Sequence, residues 1–125
     1  VVLDYALRSE LNKEINSFDL VVFYLKENYS VIASMPTKIG EALSCGKPIV
    51  CNSFNSDISD FIQNNHVGYL HDFKEEYQES THTKIMSLIN SETVESNCIE
   101  LAKREFDLLS AAENYLDIYN HVIEP

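Results

Sequence analysis

The segment from Ser34 to Val50, SMPTKIGEALSCGKPIV, constrains the fold more than any other stretch. It reads as a proline-started helix that stops at a glycine and runs directly into an apolar strand. Pro36 fits the first helical position, because its missing N–H would be unpaired there and its fixed φ suits the helix. Thr37, Lys38 and Ile39 are then expected to present free backbone N–H groups at the positive end of the helix dipole, an arrangement suited to phosphate. Gly46 is expected to adopt the left-handed conformation that closes a helix, with Lys47 placing a cation beside its negative end. A strand from Pro48 to Cys51 follows at once. Ile39, Ala42 and Leu43 share the face turned to the sheet, which leaves Glu41 off that face, about one turn beyond the amides.

The remainder of the chain alternates helix and strand signals, without repeats or low-complexity tracts. Leu7, Leu11 and Ile15 recur at helical spacing and predict an amphipathic helix over Arg8 to Ser17. Leu20 to Leu25 is a continuous apolar run of β-formers, as expected of a strand covered on both faces. Asp57 is placed to cap a helix with Asp60 in its first turn and Ile58, Phe61 and Ile62 as its apolar stripe. Val67 to Leu70 reads as the last short strand. Beyond Asp72 the periodicity is helical: Ile85, Leu88 and Ile89 form one stripe, Val94, Cys98 and Leu101 a second, and Ala112, Tyr115, Leu116 and Tyr119 a third. Strands separated by helices imply a parallel α/β sheet. Ligands of such sheets lie beyond the carboxyl ends of the strands. The loops after Leu25 and Cys51 and the start of the motif helix are therefore the places to look.

Composition narrows the partners. The 125 residues are 45% hydrophobic, enough for one core, and carry a net charge of −11 from 20 acidic and 9 basic residues. Nucleic acid is an unfavourable partner for so acidic a surface. Anionic lipid is disfavoured on the same ground. No apolar run approaches the roughly 20 residues of a spanning helix and no signal peptide opens the chain, so cytoplasmic residence is the expectation. Cys45, Cys51 and Cys98 form no close pair and read as small buried hydrophobes. His66 and His71, five apart across a strand, point to opposite faces, which argues against a metal site.

The motif also resembles the nucleotide-sugar half of retaining glycosyltransferases of the family 4, or group 1, type. Many members read S-x-P-T-K-x-x-E-x-x-x-x-G-x-P-V-V, and this chain supplies Ser34, Pro36, Thr37, Lys38, Glu41, Gly46, Pro48, Ile49 and Val50. FDLVVFYL before it, NSDISDFIQNNHVGYL after it and the terminal NYLDIYNHVI resemble the flanking family text, so the resemblance covers nearly the whole chain. Two positions depart: eight residues before Glu41, where many relatives carry a second glutamate, stands Ala33, and Ser56 replaces the glycine of a Gly-Asp pair.

The resemblance implies a Rossmann-like parallel sheet flanked by helices, forming part of the C-terminal domain of the two-domain B-type glycosyltransferase fold. Residues 1–125 are read as the C-terminal part of a donor-binding domain, with 94–123 as its terminal helices. The family's complete domain begins with two strands and a glycine-bearing turn that have no counterpart here. An N-terminal acceptor-binding domain is accordingly expected outside this chain, and in the parent enzyme a peripheral position on the inner face of a membrane. The implied partner is a nucleoside-diphosphate sugar, with no cofactor and no metal. Ser34, Met35, Pro36, Thr37, Lys38 and Glu41 are the implied substrate-binding residues, Glu41 on the ribose hydroxyls and the amides on the diphosphate. No catalytic residue is assigned to this chain. Tyr115 and Tyr119 are expected to pack in the seam where the last helix crosses towards the partner domain. A sheet cut through its middle would expose an edge strand open to self-association.

Two other readings exist. A phosphoacceptor receiver domain shares the alternation of strand and helix, but it needs an aspartate where this chain has Phe23, Tyr24 and Leu25. A non-catalytic nucleotide- or protein-binding module is the second.

Overall fold

The computed structural model describes residues 5–26, 28–29, 35–53, 56–72 and 74–123. Three short strands, β1 (Val21–Phe23), β2 (Ile49–Cys51) and β3 (Gly68–Leu70), form one parallel sheet in the order β1-β2-β3. The register pairs Phe23 with Cys51 and Cys51 with Leu70, so the carboxyl ends of all three strands lie level. Helices α1 (Leu11–Asn16), α2 (Thr37–Ser44), α3 (Ser56–Asn64), α4 (Glu79–Ile89), α5 (Glu92–Glu105) and α6 (Leu108–Ile123) surround or follow the sheet. This is the α/β, Rossmann-like arrangement that alternating strand and helix signals imply.

The core is built where periodicity placed it. Ile39, Ala42 and Leu43 of α2, Ile58 and Ile62 of α3, and Cys98, Leu101 and Ala102 of α5 close around Ile49, Cys51 and Val67. Leu43, Ile49 and Ile62 are fully inaccessible, and each such side chain contributes about 1.5–3 kcal/mol relative to exposure. Every residue of β2 is buried, as befits the central strand. The expectation that β1 would be covered on both faces is not met: Val22 is 56% exposed, because among the described residues β1 has β2 as its sole neighbour and only the Val21 and Phe23 side turns to the core.

Helix α1 is shorter than the predicted span from Arg8 to Ser17. It begins at Leu11 behind a turn closed by the Glu10 amide on Leu7 O (2.8 Å), and the Glu10 side chain makes no capping bond. Only Ile15 of this helix is buried, while Leu7 is exposed. Asp57 lies inside the first turn of α3, which starts at Ser56, rather than capping it. At the other end, α6 is capped by a residue outside the predicted stripes: the Asp107 carboxylate accepts from the Ser110 amide and hydroxyl, both at 2.8 Å. None of the α6 residues is buried, and Tyr115 and Tyr119 are 66% and 63% exposed.

Candidate nucleotide site

Helix α2 departs by one residue from the expected start. Pro36 is the N-cap, with φ −63° and ψ 129°, and Thr37 is the first helical residue. Proline's fixed φ serves either position, but an extended ψ turns its carbonyl to accept from the Ile39 amide at 3.0 Å. Ile39 is thereby removed from the expected set of free donors. The amides of Thr37 and Lys38 have no partner among the described residues, and the helix makes no side-chain cap there.

The far end of α2 closes as expected. Gly46 has φ +68°, its amide donates to Leu43 O at 2.9 Å, and the Lys47 amide donates to Ala42 O at 3.0 Å. This pair of bonds is the Schellman closure, which satisfies two terminal carbonyls and sends the chain straight into β2. The helix is held against α5 by close approach at both glycines. A Cβ on Gly40 would lie 2.9 Å from Phe106 Cδ1, and one on Gly46 would lie 2.8 Å from Glu95 Cγ.

Thr37, Lys38 and Glu41 fall at i, i+1 and i+4, so they share one side of α2. They form the polar rim of a groove of about 440 Å³ whose floor is supplied by Ile15, Phe18, Val21 and Phe23. Glu41 is half-buried, Thr37 and Lys38 are exposed, and Glu41 makes no ion pair with a described residue. A carboxylate at the edge of apolar surface with no cation of its own is an acceptor available to a ligand. Met35 is exposed and Pro36 half-buried ahead of the helix. Ser34 and Ala33 lie outside the described residues. The structure thus brings Thr37, Lys38 and Glu41 together along one groove, and Met35 and Pro36, just before them in sequence, are not part of its lining.

One residue absent from the expected set organises the same end of the sheet. Asn52 follows β2 directly, is 7% exposed, and exchanges both amide functions with one backbone unit: the Leu25 N–H donates to Oδ1 and Nδ2 donates to Leu25 O, each at 2.9 Å. Next to it the His71 amide donates to Cys51 O at 2.9 Å, extending the pairing of β2 and β3. The signal for Asn52 was present in the sequence as a polar residue set against an apolar strand, at the level where the topology places ligands.

Neither buried cysteine is poised for chemistry. Desolvation pushes the Cys51 thiol up to about 11, and desolvation followed by the nearby Glu95 charge pushes Cys98 up to about 12. Among the described residues no three His, Cys, Asp or Glu side chains gather as metal ligands, and no helix is long and apolar enough to cross a membrane.

Comparison with known families places these observations. The model of a family described as "Glycosyl transferases group 1" matches residues 2–105, from the N-terminal segment to the end of α5, leaving α6 outside. No curated protein and no solved structure matches the chain. The matched span contains the whole sheet, the motif helix and the groove it borders, and the chain belongs to the group 1 glycosyl transferases.

Proposed function

We propose that this chain forms the donor-nucleotide side of an enzyme that transfers a sugar from a nucleoside-diphosphate sugar to a glycan or other acceptor. The observation that carries this reading is the grouping along one edge of α2 of the Thr37 and Lys38 amides and the Glu41 carboxylate, with no partner for the two amides and no ion pair for the carboxylate among the described residues. The diphosphate lies on the helix N-terminus, where backbone donors and the helix dipole favour negative charge. Lys38 adds its ammonium to the same charge, and Met35 and Pro36 border the approach. Glu41 accepts from the ribose hydroxyls. Ser34, next to Met35 in sequence, is assigned to the sugar-phosphate end of the donor.

Such an arrangement supplies part of the chemistry. As the glycosidic bond breaks, negative charge develops on the leaving diphosphate, and preorganised amides and a cation stabilise it without reorganising. Acceptor recognition belongs to an N-terminal domain outside these 125 residues, so the isolated chain binds donor nucleotide and does not turn it over. The enzyme works in the cytoplasm, and α6 lies towards the partner domain. The edge of β1, which has no second strand beside it among the described residues, gives the isolated chain a route to self-association through strand pairing.

Calorimetric titration of the chain with uridine, guanosine, adenosine and cytidine diphosphates, and with their sugar conjugates, tests the reading. Saturable binding to one of them is expected. Absence of binding by a folded chain to all of them contradicts it.

A further inference from the structure

We infer that Asn52 is a positioning residue for the nucleotide site, acting through Leu25 rather than by touching the ligand; this rests on the donor-site reading above. The last backbone pair of the β1–β2 ladder is Phe23 with Cys51. Beyond it the two chains must separate, because one leads to α2 through Pro36 and the other to α3 through Ser56. A separating pair of strands leaves backbone donors and acceptors without partners, which is unfavourable wherever they are buried. The Asn52 side chain replaces the lost ladder. Its carbonyl oxygen and its NH₂ group match the N–H and C=O of one residue, Leu25, two positions past the end of β1.

The consequence is geometric. Leu25 is the fixed point from which the chain sets out for the N-terminus of α2, and Asn52 is the fixed point from which it sets out for α3. A single buried amide ties them together across 27 residues of sequence. The His71–Cys51 bond secures the third strand at the same level. Where the Thr37 and Lys38 amides stand relative to the groove therefore depends on the register of Leu25. At neutral pH, where an exposed carboxyl is ionised and accepts only, the planar amide of asparagine or glutamine supplies the donor and acceptor that match one peptide unit, and the shorter side chain suits direct attachment to the strand end.

The test compares Asn52→Ala and Asn52→Asp with Ser91→Ala, which removes the helix cap that accepts from Val94 N at 3.3 Å and borders a cavity lined by Asp19 and Lys47, away from the groove. Each variant is titrated with the nucleoside diphosphate that the native chain binds best, and amide exchange is followed by NMR. The expected result is that both Asn52 variants bind about tenfold more weakly, Asn52→Ala having lost both bonds to Leu25 and Asn52→Asp the one donated by Nδ2. Ser91→Ala should lose comparable stability and bind as the native chain does. In Asn52→Ala the Leu25 amide should exchange faster while the Val21 amide, bonded to Pro48 O at 3.0 Å, stays protected. Asn52→Asp tests the donor alone, because it keeps an acceptor for Leu25 N–H and sets a carboxylate against Leu25 O. Native affinity in both Asn52 variants, with Glu41→Ala weakened, overturns the positioning role and leaves the donor site standing. Equal weakening in Ser91→Ala also overturns it, by showing that stability alone governs binding. If the native chain binds no nucleoside diphosphate, the donor-site reading falls and this inference falls with it.

Discussion

Gly68 and Ile49 are partners in the parallel ladder, and they stand so close that no side chain fits at Gly68: a Cβ there would lie 2.9 Å from the Ile49 carbonyl carbon and 3.0 Å from Ile62 Cγ2. The obstruction is backbone and a fully buried core side chain, neither of which can swing aside. Gly68→Ala is therefore expected to separate β2 from β3 and cost about 3 kcal/mol, at the upper end for overpacking. Urea unfolding with a matched m-value checks this; a midpoint like that of the native chain would contradict the close ladder.

Gly46 poses a milder problem. At φ +68° a residue with a Cβ pays about 1–2 kcal/mol, and the atom it would meet, Glu95 Cγ, belongs to a flexible side chain that can move. Gly46→Ala should thus lower stability by about 1–2 kcal/mol, and Gly46→Asn by less, since asparagine tolerates this region. Equal losses in the two variants would show that crowding against Glu95, not backbone conformation, sets the requirement.

The three cysteines should separate by reactivity. Cys45 is half-buried whereas Cys51 and Cys98 are fully enclosed and held protonated to about 11 and 12. A thiol-disulfide reagent at pH 8 is expected to label one cysteine in the folded chain and three after unfolding. The same shifts fix a pH dependence. Both thiols have folded values above their ordinary 9.0, so their contribution to stability is complete below pH 9 and is lost as pH rises towards 11 and 12, because the unfolded chain releases these protons first. Stability that stays flat from pH 8.5 to 10.5 would contradict the enclosed thiols.

Asp107 gives the opposite sign at acid pH. Its two bonds from the Ser110 amide and hydroxyl hold the carboxyl below its ordinary 3.8. The cap is present above that value and is lost as pH falls through the lowered one. Asp107→Ala should fray the first turn of α6 by removing its cap, and leave the sheet untouched because no α6 residue is buried. Amide exchange limited to the 108–111 segment is the expected pattern; a change spread through β1–β3 would show that α6 supports the core.

Local signals carried most of the architecture. The motif helix, its glycine closure, the three strands and the α3 and α5 stripes were all legible, because proline and glycine punctuate within a few residues and burial repeats with the period of the element. What escaped reading was non-local or depended on a single dihedral. The extended ψ of Pro36 moved the cap by one residue and spent the Ile39 amide. The pairing of Asn52 with Leu25 crosses 27 residues, and no periodicity reports it. Val22 was expected to be covered because its neighbours are apolar, yet only the Val21 and Phe23 side of β1 packs on the core and Val22 is left 56% exposed. The apolar stripe of α6 was visible, but a stripe does not name what covers it.

Glu41 is the most direct point of attack on the account. It is half-buried on the rim of the groove and carries no ion pair to a described residue, so Glu41→Ala should leave the unfolding midpoint within about 0.5 kcal/mol of native, as surface substitutions do. The decisive measurement is calorimetric titration of native and Glu41→Ala chains with the four nucleoside diphosphates in parallel with their free ribose-lacking counterpart, inorganic pyrophosphate. The account predicts that the native chain binds one nucleoside diphosphate, that Glu41→Ala weakens it by at least about tenfold through the lost hydrogen bonds to ribose, and that pyrophosphate binding is unchanged. Equal nucleotide affinity in the two chains, or no nucleotide binding by the folded native chain, would contradict it.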